Sequence, residues 1–462
     1  MVFSSLIFLF FYLPLVLLLY FVLPSKYRNG FLFFANLIFY AWGEPVFVVV
    51  MIVAIIINYF FGLGIEKHPS KAKILLVIGI VIDLSLLFFF KYAAFFREIA
   101  VALTGLPLGN FPEIALPIGI SFYTFQSLSY LVDIYRRDIA AEKSFICFGT
   151  YLAFFPQLIA GPIVRYDEMS ADLHRRRVTK SQFSEGVSLF LIGLGKKVCI
   201  ANEMGVLWEQ LRPLAATEGL LAAHVGIIAF ALQIYFDFSG YSDMARGLGK
   251  MFGFSLPVNF NYPYHAESLT DFWRRWHMTL TRWFRDYVYI PCGGNRKGTM
   301  RTVLNLFFVW SLTGLWHGAD YNFILWGIYW FALLCGEKFL WQGLLKKVPK
   351  VIRSIYSWVF ILIGWVLFSL SSMGEIGTYL TAMFTLKNGF LHGDSVTYIL
   401  SYLPLLLIAL FAAMPYGKQL WQKLSAQRYA SILEFLGLTL IFLFAVASLT
   451  NQSYNPFLYF RF

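Results

Sequence analysis

Along this chain the apolar residues form long runs, and the polar residues collect in the gaps between them. Runs fall near 4–23, 31–42 with 46–65, 74–90, 114–132, 186–206, 219–236, 303–316, 321–341, 355–371, 398–415 and 431–449. A helix that crosses a bilayer needs about 20 mostly apolar residues. Several runs are shorter or interrupted, which predicts tilted or re-entrant segments beside full spans, about 9–12 membrane helices in all. Helix is the expected form throughout, because only helices satisfy their own backbone in lipid. The alternating strands of about ten residues that a barrel needs are absent. The fold expected is therefore all-α and polytopic. The run 4–23 is too long and aromatic for a cleaved signal and lacks a basic leading region, so it is expected to be retained.

The longest polar breaks are 164–184, 257–302 and 343–354. The first and third read as loops, whereas the middle one is basic and aromatic together. No linker, soluble domain or repeat divides the chain. A single membrane domain over 1–462 is expected, with a motif-rich core near 116–330.

Composition agrees with the pattern. Of 462 residues 59% are hydrophobic and 13% charged. A soluble protein carries about 25% charge, so the bilayer must supply part of the solvent. The net charge of +12 reports Lys and Arg kept in cytoplasmic loops. "HRRRVTK" (174–180) is the densest such loop, placed in the cytoplasm against anionic headgroups of membrane lipids. No nucleic-acid partner is expected, since the basic residues are dispersed between apolar runs. Cys147, Cys199, Cys292 and Cys335 are scattered without a C-x-x-C pair, which indicates neither a disulfide framework nor zinc. No metal is expected, because the acids and histidines lack ligand spacing.

Candidate chemistry concentrates in "SLTDFWRRWHMTLTRWFRDYVYIPCGGNRKG" (268–298). Ser268 or Thr270 can cap a helix beginning at Asp271, with Pro291 and the following glycines ending it. On that helix Trp273, His277 and Leu280 share a face. Trp276 and Trp283 lie one heptad apart, as do Arg275 and Arg282. Four arginines and a histidine within twelve residues (274–285) are dense for an interfacial anchor. A second histidine, His317, follows forty residues later inside "LTGLWHGADYNFILWGIYW" (312–330). An ionisable residue in an apolar span is costly and functional by default. Trp316 precedes it, and Gly314 and Gly318 permit close approach of a backbone or ligand. With an ordinary pKa of about 6.5, a desolvated imidazole there stays neutral and accepts a proton. In "YFDFSGYSDMARGLGKMFGF" (235–254), Asp237 and Asp243 lie at the end of an apolar run, and Ser239, Gly240, Tyr241 and Ser242 make a break with hydroxyls. Asp237 is expected to cap a helix or to pair with an arginine.

Taken with "LPIGISFYTFQSLSYLVDIYRRD" (116–138), "PQLIAGPIVRY" (156–166) and "GGNRKG" (293–298), these segments resemble the membrane-bound O-acyltransferase family. The similarity is to its bacterial polysaccharide-modifying branch, which holds the alginate O-acetyltransferase membrane subunit and the D-alanyl transfer protein of teichoic acid modification. Cys292, where leucine is expected, and His265 depart from the branch pattern. The ending "NPFLYFRF" (455–462) also resembles it. The resemblance implies a ring of helices around a central tunnel. His317 matches the catalytic histidine and His277 the second histidine of the reaction centre. It implies a cytosolic acyl thioester, acetyl-CoA, as donor substrate rather than a bound cofactor. It further implies a polysaccharide acceptor and an extracytoplasmic acetyltransferase partner of SGNH-like or alginate-acetylation type. Residues expected near the donor are Trp273, Arg275, Trp276, Arg282, Arg285, Asp237, Tyr241 and Trp316. The expected location is a bacterial cell membrane. The rival readings are a transporter or flippase for a polysaccharide or lipid-linked sugar, and a scaffold subunit without chemistry. The first calls for paired interrupted helices in two halves, and no such symmetry is visible.

Overall fold

The computed structural model describes residues 1–105, 115–451 and 457–458, and every regular element among them is helical. The chain divides into two compact units, Met1–Phe190 with Ser242–Pro257, and Leu191–Tyr241 with Val258–Phe462. The order begins α1 (Leu13–Val22), α2 (Arg28–Gly43), α3 (Val48–Lys67), α4 (Ala72–Leu87), α5 (Ala93–Thr104) and α6 (Ile120–Arg136). Next come α7 (Phe145–Ala153), α8 (Phe155–Leu158), α9 (Tyr166–Arg175), α10 (Lys180–Gly195), α11 (Asn202–Leu214) and α12 (Leu220–Phe252). The short α13 (Leu269–Arg275) and α14 (Met278–Phe284) precede α15 (Thr299–His317), α16 (Tyr321–Gly336) and α17 (Gln342–Leu345). The chain closes with α18 (Lys350–Ser369), α19 (Met373–Phe384), α20 (Asp394–Ala412), α21 (Tyr416–Leu424) and α22 (Ala430–Asn451).

Among the described residues, seven helices are long and apolar enough to cross a membrane. The run at 303–316 becomes α15, nineteen residues long but less apolar than those seven. The run at 4–23 folds as a π turn, Phe8–Tyr12, followed by α1. The run at 186–206 contains a π segment, Lys196–Ala201, which holds two lysines. The run at 114–132, whose first residue lies outside the described set, becomes α6. That helix is buried nearly all round and carries Ser121, Gln126, Ser127 and Ser129 inward. Such interior polar residues lower its hydropathy because protein, not lipid, is their solvent.

The second unit holds the histidines, and its core is aromatic. Trp273 stands edge-on to Trp310 at 4.7 Å and to Trp330 at 5.0 Å. Ring pairs at these separations add to the stabilisation that burial alone gives. Helices α15 and α16 form an antiparallel hairpin with only residues 318–320 between them. A Cβ on Gly314 would strike the carbonyl oxygen of Phe323, and one on Gly318 its ring. Those glycines therefore serve close helix packing, the small-residue contact common between membrane helices.

Candidate active site

His317 is the last residue of α15. Gly318 leaves the helix in extended conformation, and Asp320 restarts the chain by accepting the Tyr321 N–H at 2.6 Å. The imidazole is buried, with Trp326 at 5.0 Å and Phe368 at 5.3 Å between ring centroids.

His277 is not in mid-helix as its spacing predicts. The Ser268 hydroxyl caps α13, as expected, by accepting the Asp271 N–H at 3.0 Å. The helix then stops at Arg275, and His277 takes a left-handed conformation with φ 43° before α14 begins. A side chain in that region is uncommon and strained, and such strain clusters at functional sites. The break is satisfied by the strand-like segment before it. Asn261 N donates to Arg275 O and Met278 N to Asn259 O, each at 2.9 Å. The buried Glu337 carboxylate accepts the Leu269 and Thr270 N–H groups at 2.8 and 2.9 Å, which holds the opposite end of α13.

Asn259 also fixes the state of the ring. Its Oδ1 takes the Thr279 N–H at 3.2 Å, the Thr279 hydroxyl at 2.9 Å and His277 Nδ1 at 3.2 Å. A backbone N–H can only donate, so that side-chain atom is the amide oxygen, and it can only accept. Nδ1 therefore carries the proton and Nε2 the lone pair. His277 lies outside the seven spans, and burial pushes its pKa down to about 3, so the ring is neutral near pH 7.

Trp316 joins the two histidines. Its ring lies 5.9 Å from His277 and 5.0 Å from His317, so residues distant in sequence share one indole wall. The same unit holds a cavity of about 590 Å³. Trp273, Leu280, Phe284 and Trp310 give it an apolar wall, and Arg274, Arg285 and Lys338 give it positive charge. Thr313 lines it while His317 does not. These two residues are one turn apart on the same face of α15, about 5–6 Å along the axis.

The other expected residues divide. Trp273 and Arg285 line the cavity, and Arg285 grips Asp286 through two nitrogens at 2.7 and 3.2 Å. Arg275 instead pairs with Asp271 at 2.9 Å, and Arg282 is half-buried away from the lining. Trp276 packs between Phe260 and Trp365. Asp237 binds Lys197 Nζ at 2.6 Å where an arginine was expected, and it also accepts the Leu458 N–H at 2.7 Å. Lys197 reaches it from the π segment, whose extra residue turns the side chain inward. Tyr241 lies 4.9 Å from Phe457, so it packs against the chain end rather than the cavity. Of "NPFLYFRF" only Phe457 and Leu458 are described. Sequence reasoning missed Asn259, Arg274, Lys338, Lys197 and Glu337. Spacing also hid one cluster of possible metal ligands. Glu142, Cys147 and His174 place ligand atoms within 4.8 Å of one another. Each has a protein partner: His174 Nε2 meets Glu142 at 2.8 Å and Asn29 donates to the Cys147 sulfur at 3.3 Å.

The chain is a helical membrane protein with two buried histidines and, in the same unit, a cavity lined by aromatic and cationic side chains. The family model described as MBOAT, membrane-bound O-acyltransferase, matches residues 136–374. The chain belongs to that family, and it is an acyltransferase and a multi-pass protein of the bacterial cell membrane. Among its relatives, the probable alginate O-acetylase AlgI of Pseudomonas putida is 38% identical over 100% of both chains. The peptidoglycan O-acetyltransferase of Helicobacter pylori is 34% identical over 80% of this chain and 77% of its own. The teichoic acid D-alanyltransferase of Bacillus subtilis is 26% identical over 54% of this chain and 68% of its own.

Proposed function

We propose that the protein carries an acetyl group from cytosolic acetyl-CoA to the outer face of the membrane for O-acetylation of an extracellular or cell-wall polysaccharide. An extracytoplasmic acetyltransferase of SGNH-like or alginate-acetylation type completes the transfer. The names of the relatives, which concern alginate and peptidoglycan O-acetylation, support the acceptor class. The observation that carries the reading is one cavity lined by Arg274, Arg285 and Lys338, by Trp273 and Trp310, and by Thr313, which lies one turn from His317. Cations meet the donor's phosphates, and the apolar wall takes its slender arm.

In the reaction His317 removes the proton from the acceptor hydroxyl as that oxygen bonds to the thioester carbonyl. The carbon–sulfur bond breaks, and the proton passes from the imidazolium to the departing thiolate. Neutral His277, basic at Nε2, orients the hydroxyl. The aromatic surround excludes the water that would hydrolyse the thioester. A positioned base of this kind contributes about 10²–10⁴-fold. His317→Ala, at unchanged protein level and melting temperature, should lower transfer of labelled acetyl into outer polymer by that factor. Undiminished labelling removes His317 from the chemistry. Arg274→Gln with Lys338→Gln should raise KM for acetyl-CoA while leaving kcat near its starting value, and an unchanged KM refutes the donor path.

A further inference from the structure

The first unit holds a second cavity, of about 270 Å³, where the turn between α1 and α2 meets the end of α9. Lys26, Arg28 and Arg176 line it together with Ser25, Asn29 and His174, and no carboxylate does. Among the described residues none of the three cations has an acidic partner. Three positive charges kept around one polar space without a counter-ion are costly unless an anion enters it.

The two arginines are held in place. Arg176 Nε donates to the Tyr20 hydroxyl at 2.8 Å and Nη1 to Asn29 Oδ1 at 2.6 Å. Its guanidinium lies 4.5 Å over the Phe254 ring, and its Nη2 is buried with no partner. Arg28 stacks 4.9 Å from the Tyr20 ring, which Arg176 also covers at 5.6 Å. Helix α2 starts at the same place, with no side-chain cap and no acid in its first turn. Its N-terminal partial charge therefore adds to the three cations.

The surroundings select the anion. Immediately before this turn, α1 exposes Leu18, Leu19, Phe21 and Val22, which in a membrane protein face acyl chains. Tyr27 is exposed on the other side of Lys26. Apolar side chains, then an aromatic and cations, is the depth profile of a membrane interface. We propose that this cavity holds the phosphate of an anionic phospholipid whose acyl chains lie along the exposed residues of α1. The site is separate from the acyl-transfer reading and stands without it.

The full-length protein in detergent is titrated with dioleoyl phosphatidylglycerol, dioleoyl phosphatidylcholine and inorganic phosphate, following bound lipid by native mass spectrometry and melting temperature. Phosphatidylglycerol should stay bound and raise the melting temperature, with the other two doing neither. Each cation removed should weaken phosphatidylglycerol binding about fivefold. Arg28→Gln and Arg176→Gln are the variants. If Arg176→Gln fails to fold after losing its bonds to Tyr20 and Asn29, Arg28→Gln, which gives up one hydrogen bond to the Leu23 carbonyl and its ring contacts with Tyr20 and Phe21, decides alone. Equal protection by inorganic phosphate, equal retention of phosphatidylcholine, or unchanged affinity in Arg28→Gln overturns the proposal.

Discussion

Helices α12 and α22 are both long enough to span a bilayer, yet they live in different solvents. In its most apolar window α12 is 72% buried, whereas α22, the more apolar of the two, is only 11% buried. Protein surrounds α12 and provides partners, so it carries Gln233, Asp237 and Ser239. Lipid surrounds much of α22, which is left with Thr439, Ser448 and Thr450 and few other polar groups. High hydropathy therefore marks contact with lipid. A slightly depressed hydropathy in a span marks the interior, where chemistry is placed.

The severest way to break this contrast is to remove one partner inside α12. Asp237→Ala strands Lys197 in the core and deletes the acceptor of the Leu458 N–H. Removing one member of a buried pair costs about 3–5 kcal/mol. The variant should melt far below the parent in detergent. The double change Asp237→Leu with Lys197→Met should recover much of the loss, because the stranded charge goes with its partner. A single variant as stable as the parent means that water reaches this pair.

The next test concerns the polar support of the reaction centre. Asn259→Ala removes the acceptor of three hydrogen bonds and the constraint on the His277 tautomer. A stability loss of about 1–3 kcal/mol is expected. Acetyl transfer should fall through kcat rather than KM, since the donor cavity is not touched. Asn259→Asp keeps an acceptor and should rescue part of kcat. Equal damage by both variants assigns Asn259 to packing alone.

These two sites show where the sequence was legible. Apolar runs identified a helical membrane protein, because lipid imposes a composition that local residues report, while the resemblance carried by the ordered motifs implied an acyltransferase and two histidines of interest. What was lost turned on single events of backbone geometry. One left-handed residue at 277 resets the helical phase, so Arg275 on α13 and Arg282 on α14 belong to separate helices. The heptad pairing of Arg275 with Arg282 assumed an unbroken helix. Likewise the π segment at 196–201 turns Lys197 toward Asp237, and no periodicity in the run 186–206 announces it. Asn259 and Glu337 act on helices remote in sequence, so only tertiary contact reveals them.

A milder test lies between the two extremes. Helix α20 is 22% buried in its most apolar window, and its first turn is held by Glu218, which accepts the Ser395 N–H at 2.7 Å. That hydrogen bond holds the Glu218 carboxyl below its usual range. The unfolded chain then takes up the proton at higher pH than the folded one. Stability from this contact is present above the ordinary glutamate pKa of about 4.3 and is lost as pH falls through the lower folded value. The group is partly exposed, so no more than about 1 kcal/mol is involved. Glu218→Gln should flatten the acid limb of a melting-temperature profile, and an unaltered limb excludes this cap.

The smallest effect is expected where lipid is the neighbour. Leu443 and Phe444 on α22 are 58% and 65% exposed, so truncation leaves no cavity for protein to border. Acyl chains can fill the space, and the transfer term between lipid and lipid-facing protein is close to nil. Leu443→Ala should change stability by less than about 0.5 kcal/mol. Leu232→Ala on α12, where the side chain is fully buried, should cost about 2–5 kcal/mol. Both are leucines on spanning helices, so the pair isolates the environment from the residue. If Leu443→Ala costs as much as Leu232→Ala, then α22 is covered by protein in the membrane, and its apolar surface is an interface with another chain rather than a boundary with lipid.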